Sequence, residues 1–88
     1  MPCRIEVRRD DDRVVVHLAG RLSEAEVPDL LEACAVGRTP PFLELDELVS
    51  ADAVGVDALL RIRQKGARLV GLPEYLRLKL ETLAREQT

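Results

Sequence analysis

Ser50-Ala51-Asp52-Ala53-Val54-Gly55-Val56-Asp57-Ala58-Leu59-Leu60 is the stretch in which the chain passes from one kind of local structure to another. Asp52 is a good helix N-cap: its carboxylate can accept from the free N–H groups of a first turn, and its charge complements the helix dipole there. Behind it Val56, Leu59 and Leu60, then Ile62, recur at helical spacing and belong to one inward face. Gly66 stops that helix. Gly55 falls in its first turn, where glycine costs about 1 kcal/mol of helix propensity relative to alanine. Its compensation is that a helix end without a side chain can lie close to neighbouring backbone. Ser50, in a loop beside the helix start, reads as a cap or, in a second reading, as a phosphoacceptor.

Towards the C-terminus, Arg68-Leu69-Val70-Gly71-Leu72 is the last strand, and Pro73 and Glu74 open a third helix with Leu76, Leu80 and Leu83 on one face. Towards the N-terminus, Phe42, Leu43, Leu45 and Leu48 among acidic residues predict a short third strand that runs into the loop holding Ser50. Upstream of it, Val27, Leu30, Leu31 and Cys34 share one helical face. Ser23 and Glu26 have the form of a capping box for that helix. Alternatively it starts at Pro28, because a proline farther in would delete an i→i−4 bond, and residues 23–27 form a loose turn. Gly37 reads as its C′ residue, and Pro40-Pro41 forbid continuation. Ile5 and Val7 alternate with charges as a half-exposed strand, Asp10, Asp11 and Asp12 supply a turn, and Val14-Val15-Val16-His17-Leu18 is a more buried strand of the same antiparallel hairpin. The order ββαβαβα implies an α/β fold: a four-stranded mixed sheet with about three helices, its parallel strands joined by right-handed crossovers.

The 88 residues suit one domain spanning 1–88. A chain of this size buries only about 60–65% of the surface its unfolded form exposes, so its stability margin is small. Apolar residues make up 47%, with Phe42 and Tyr75 the only aromatics, so the core is aliphatic. A net charge of −3 and the scarcity of aromatics speak against nucleic-acid binding, which calls for a basic face or stacking platforms. Apolar runs are far shorter than the roughly 20 residues that span a bilayer, and Pro2-Cys3-Arg4 offers no signal-peptide core, which predicts a cytoplasmic protein with no membrane insertion. Cys3 and Cys34 have neither disulfide-scaffold numbers nor metal-ligand spacing and read as a terminal and a core thiol.

Four pieces in order resemble the STAS family, named for sulfate transporters and anti-sigma-factor antagonists. Gly20-Arg21-Leu22 stands where the family has Gly-x-Leu-Asp. Leu43-Glu44-Leu45-Asp46-Glu47-Leu48 resembles its apolar-x-Leu-x-x-apolar strand. Asp52-Ala53-Val54-Gly55-Val56, followed by Leu59 and Leu60, is similar to its Asp-Ser-x-Gly-apolar motif. Gly66-Ala67-Arg68-Leu69-Val70-Gly71 matches its glycine turn and final strand. The resemblance runs from Val14 to about Leu83. In phosphorylatable relatives the serine after the Asp is presented to a partner, and a phosphate there adds roughly −1.5 to −2 charges that can break the interface. Here that position is Ala53, which cannot be phosphorylated, and position 23 is Ser where the family commonly has Asp.

The resemblance implies a bacterial-type signalling module in transcription regulation, binding a protein partner through Ser50, Asp52, Ala53, Val54, Gly55 and Val56. The partner would be an anti-sigma factor, a histidine-kinase-like ATPase. The alternative is a cytosolic subunit of an ABC-type lipid or anion transport assembly, docking the transporter ATPase subunit with the same helix face. With Ala53 the domain is either permanently in the binding state or has kept the architecture alone; Ser50 and Ser23 are the remaining phosphoacceptor candidates. The residues themselves supply no catalytic set. His17 is the only histidine and reads as a sheet residue, no Gly-x-Ser-x-Gly elbow or phosphate loop is present, and Asp52 and Asp57 are too far round a helix to pair. The expectation is a non-enzymatic module with no catalytic residues, metal or cofactor.

Overall fold

Alternation and turn chemistry set the first half of the sheet in the computed structural model, which describes residues 3–87. Strands β1 (Arg4–Asp10) and β2 (Arg13–Leu22) are antiparallel across the two-residue turn Asp11-Asp12, with Asp11 at φ 58°. A 3₁₀ turn (Glu24–Glu26) leads into α1 (Val27–Cys34), then β3 (Phe42–Ala51), α2 (Ala53–Gln64), β4 (Arg68–Val70) and α3 (Glu74–Glu86). The sheet order is β1-β2-β3-β4, with β2/β3 and β3/β4 parallel. This is the four-stranded mixed sheet with three helices that the sequence predicts.

Period-2 alternation aims Val14, Val16 and Leu18 of β2 and Leu43 and Leu45 of β3 at one face, where they form a single core with Leu30 and Ala33 of α1, Leu59, Leu60 and Ile62 of α2, and Leu76 and Leu80 of α3. On the other face polar groups cover what little is apolar. The Arg13 guanidinium lies 4.3 Å from the Phe42 ring centre, and Arg8 is 3.0 Å from Glu44.

Several local expectations are corrected. The third strand does not end near Leu48 but continues to Ala51, so Ser50 is a strand residue opposite Arg21 rather than a loop residue or helix cap. Two register shifts, between His17/Ala19 and Gly20/Arg21 on β2, each insert an extra β3 residue. These bulges turn the buried positions into Leu43, Leu45, Leu48 and Ala51, so simple alternation is lost just where the strand continues. Ser23 is no capping box: its hydroxyl donates to the Glu26 carboxylate instead of capping a backbone N–H. The regular helix starts at Val27 with Pro28 in its first turn, where no intrahelical N–H is needed.

On α1 the buried residues are Leu30 and Ala33, while Leu31 is 43% exposed, because so short a helix turns only a narrow row onto the sheet. Gly37 is not the left-handed C′ residue; the helix is capped at Ala35, and Gly37 instead admits Val14, whose Cγ2 would lie 2.7 Å from an added Cβ. The last strand closes at Val70, since Gly71 at φ 71° turns the chain away.

Candidate functional site

One residue, Asp52, separates the end of β3 from the start of α2. Its backbone N–H donates to the Leu22 carbonyl at 3.1 Å and its carbonyl accepts from Val56 at 2.8 Å. Its carboxylate accepts twice, from the Gly55 N–H at 2.7 Å and from the Glu24 N–H at 3.0 Å. The first bond is the helix cap that the sequence predicts; the second ties the junction to the turn before α1, 28 residues away in the chain.

Gly55 packs against β2. A Cβ added there would lie 2.9 Å from the Leu22 carbonyl oxygen, a backbone atom that cannot swing aside. Gly55→Ala is therefore expected to destabilise the fold by about 1–2 kcal/mol, although alanine is the better helix former. Urea unfolding checks the sign; a more stable alanine variant would mean that the helix end has room to move away.

The six residues expected at the contact surface divide by exposure. Asp52, Ala53 and Val54 are exposed, Val54 at 42%, and Ser50 is half-buried. Gly55 and Val56 are buried, Val56 at 5%, so they shape the rim from beneath instead of offering side chains to a partner. Beside Ala53, α3 completes a shallow apolar groove of about 440 Å³ lined by Ala53, Val56, Leu78, Lys79 and Leu83 among others. Leu78 is 54% exposed. Leu78 lies off the buried face that the sequence predicts for α3, and an apolar residue in that position is itself the signal of a second, exposed face.

The other chemically suggestive residues are dispersed. His17 lies between two carboxylates, Nδ1 3.4 Å from Glu44 and Nε2 3.2 Å from Glu47, a sheet residue with both ring nitrogens faced. Asp57 pairs with Arg61 at 2.9 Å and accepts from Gln87, apart from Asp52. Burial pushes the Cys34 thiol up to about 11, which leaves little thiolate at neutral pH. The Cys3 thiol is raised too, by burial first and then by the Glu26 charge. Among the described residues no three His, Cys, Asp or Glu side chains gather as metal ligands, and no helix is long and apolar enough to cross a membrane.

No protein-family profile and no curated protein matches the chain. Solved structures do match. The STAS domain of an anti-sigma-factor antagonist from Rhodobacter sphaeroides aligns with 78% of this chain and 86% of its own, at 23% identity and a TM-score of 0.59. The fold is that of a STAS domain. An uncharacterized DUF3478-family protein with a SpoIIAA-like fold, from Shewanella loihica PV-4, aligns with 92% of this chain and 75% of its own at 16% identity and a TM-score of 0.54. A protein named Mglu aligns at 27% identity and a TM-score of 0.59 over 73% of this chain, but the match spans only 18% of Mglu. On this STAS fold, the Asp52 junction and the α2 start stand at the end of the parallel strand β3.

Proposed function

We propose that this STAS-like chain is a non-enzymatic interaction module of the anti-sigma-factor-antagonist type. It binds a regulatory protein partner through Asp52, Ala53 and Val54, with Ser50 at the edge and Gly55 and Val56 holding the surface from below. The observation that carries this reading is an exposed apolar residue, Val54, standing on a capped helix start beside an apolar groove. A helix N-terminus with small side chains lets a partner's backbone come close, and a half-exposed valine gives it an apolar anchor. By resemblance to the family, the partner is a histidine-kinase-like ATPase that holds a sigma factor, and the setting is cytoplasmic. Ala53 has no hydroxyl, so phosphate at that position cannot release the partner.

Val54→Glu tests the surface without disturbing the core. A carboxylate in the first turn suits the helix dipole, so thermal unfolding should be unchanged within about 0.5 kcal/mol. Capture from native extract by the wild-type chain, followed by mass spectrometry, identifies the partner. Titration should then show Val54→Glu binding it at least tenfold more weakly. Equal affinity in the folded variant would remove this surface from consideration. Recovery of a transporter ATPase in place of a kinase-like one would move the protein to the second setting, a subunit of a lipid or anion transport assembly.

A further inference from the structure

We propose that β1 is a homotypic docking edge, pairing antiparallel with β1 of a second copy of this chain about a two-fold axis through Val7. The strand lies at the edge of the sheet, and all its residues but the half-buried Ile5 are exposed. An unpaired edge is a template for another strand, and natural proteins commonly blunt it with charge. Here the charges are ordered in a way that favours one register.

Backbone matching comes first. The two-residue turn closes on the Asp10–Arg13 pair, and in a hairpin of this length that pair is hydrogen-bonded. Arg4, Glu6, Arg8 and Asp10 therefore direct N–H and C=O towards β2, and Ile5, Val7 and Arg9 direct theirs outward. A two-fold axis at Val7 sets residue 5 against residue 9 and Val7 against its own copy, so every outward group meets an outward group.

The side chains select the same register. On the face opposite the helices, Arg4, Glu6, Arg8 and Asp10 alternate in sign. The axis through Val7 places Arg4 across from Asp10 and Glu6 across from Arg8, twice each by symmetry, and all four pairs are of opposite charge. Moving the axis to residue 6 opposes Arg4 with Arg8 and Glu6 with itself; moving it to residue 8 opposes Glu6 with Asp10 and Arg8 with itself. Both neighbouring registers that keep the backbone matching are thus repulsive. Arg4 already lies 3.3 Å from Glu6 and Arg8 3.0 Å from Glu44, but these pairs are exposed and exchangeable.

The helix-side face adds a second complementarity. Val7, 43% exposed, would cover itself across the axis. Arg9 of the second copy would stand opposite Ile5, at the mouth of a cleft lined by Ile5 with Glu26, Asp29 and Glu32. Three carboxylates there suit one incoming guanidinium. A seven-residue edge is small beside the roughly 1,200 Å² of specific interfaces, so the dimer is a weak one.

Sedimentation of the full chain at concentrations rising to the millimolar range, with circular dichroism to confirm folding, tests this. The wild type should show a reversible monomer–dimer equilibrium. Glu6→Arg, which sets two arginines face to face, should weaken it at least tenfold. The double variant Glu6→Arg/Arg8→Glu keeps every cross-axis pair opposite in sign and should restore dimerisation to within a few-fold of wild type. A wild type monomeric throughout, a dimer indifferent to Glu6→Arg, or a double variant that stays monomeric would each overturn the proposal.

Discussion

Val56→Asp is expected to give a chain that does not fold at 25 °C. Val56 is 5% exposed within the continuous core, and among the described residues no buried side chain is polar or charged. Lys79, the cation lining the same groove, is solvent-exposed, so it offsets little of the cost of burying a carboxylate there. The substitution forfeits about 1.5–3 kcal/mol of apolar burial and adds the cost of an uncompensated polar group, together about 4 kcal/mol or more. For a domain of 88 residues, total stability is roughly 4–13 kcal/mol, and a chain that buries so modest a share of its surface lies towards the lower end, where a loss of this size leaves little or nothing. Far-UV circular dichroism and urea unfolding decide the matter. A cooperative transition near the wild-type midpoint would show that Val56 is not a core residue. The neighbouring Val54→Glu variant, altered only two positions earlier, should remain folded, and that contrast separates loss of binding from loss of structure.

Asp52→Ala should be the next most damaging change, at about 2–3 kcal/mol. It removes two charge-assisted hydrogen bonds, and such bonds are worth about 1.5–3 kcal/mol each when shielded. The bond from Glu24 is exposed, so water replaces part of it and the sum falls short of two full contributions. Asp52→Asn keeps an oxygen able to cap Gly55 and should lose about half as much. Denaturant midpoints compared at equal slope provide the check; a loss below about 0.5 kcal/mol for alanine would show that the two bonds do not hold the junction.

Legibility in the sequence followed how local each interaction is. The Asp52 cap, the hairpin turn and the α2 face depend on neighbours within a few positions, and their residue types announce them. The end of β3 depends on bulges formed in pairing with β2, so the sequence pattern predicts a short strand where the strand reaches Ala51. The same bulges put Ser50 in the strand, where the pattern predicts a loop. Leu31 is exposed although it shares the apolar stripe of α1, because periodicity gives a helix a stripe but not its rotation on the sheet. Val56 belongs to both the motif and the inward face of α2, and its burial within the common core assigns it to the second. The share of α3 in the groove, through Leu78 and Lys79, needs the tertiary fold to be seen at all.

A single-residue link between β3 and α2 also has a kinetic meaning. With no slack to take up and both carboxylate oxygens already engaged, this link cannot shift without breaking one of those bonds, which favours a preformed rim. For the partner proposed above, the expected association rate is therefore one set by collision and orientation, with no concentration-independent step for rearrangement of this rim.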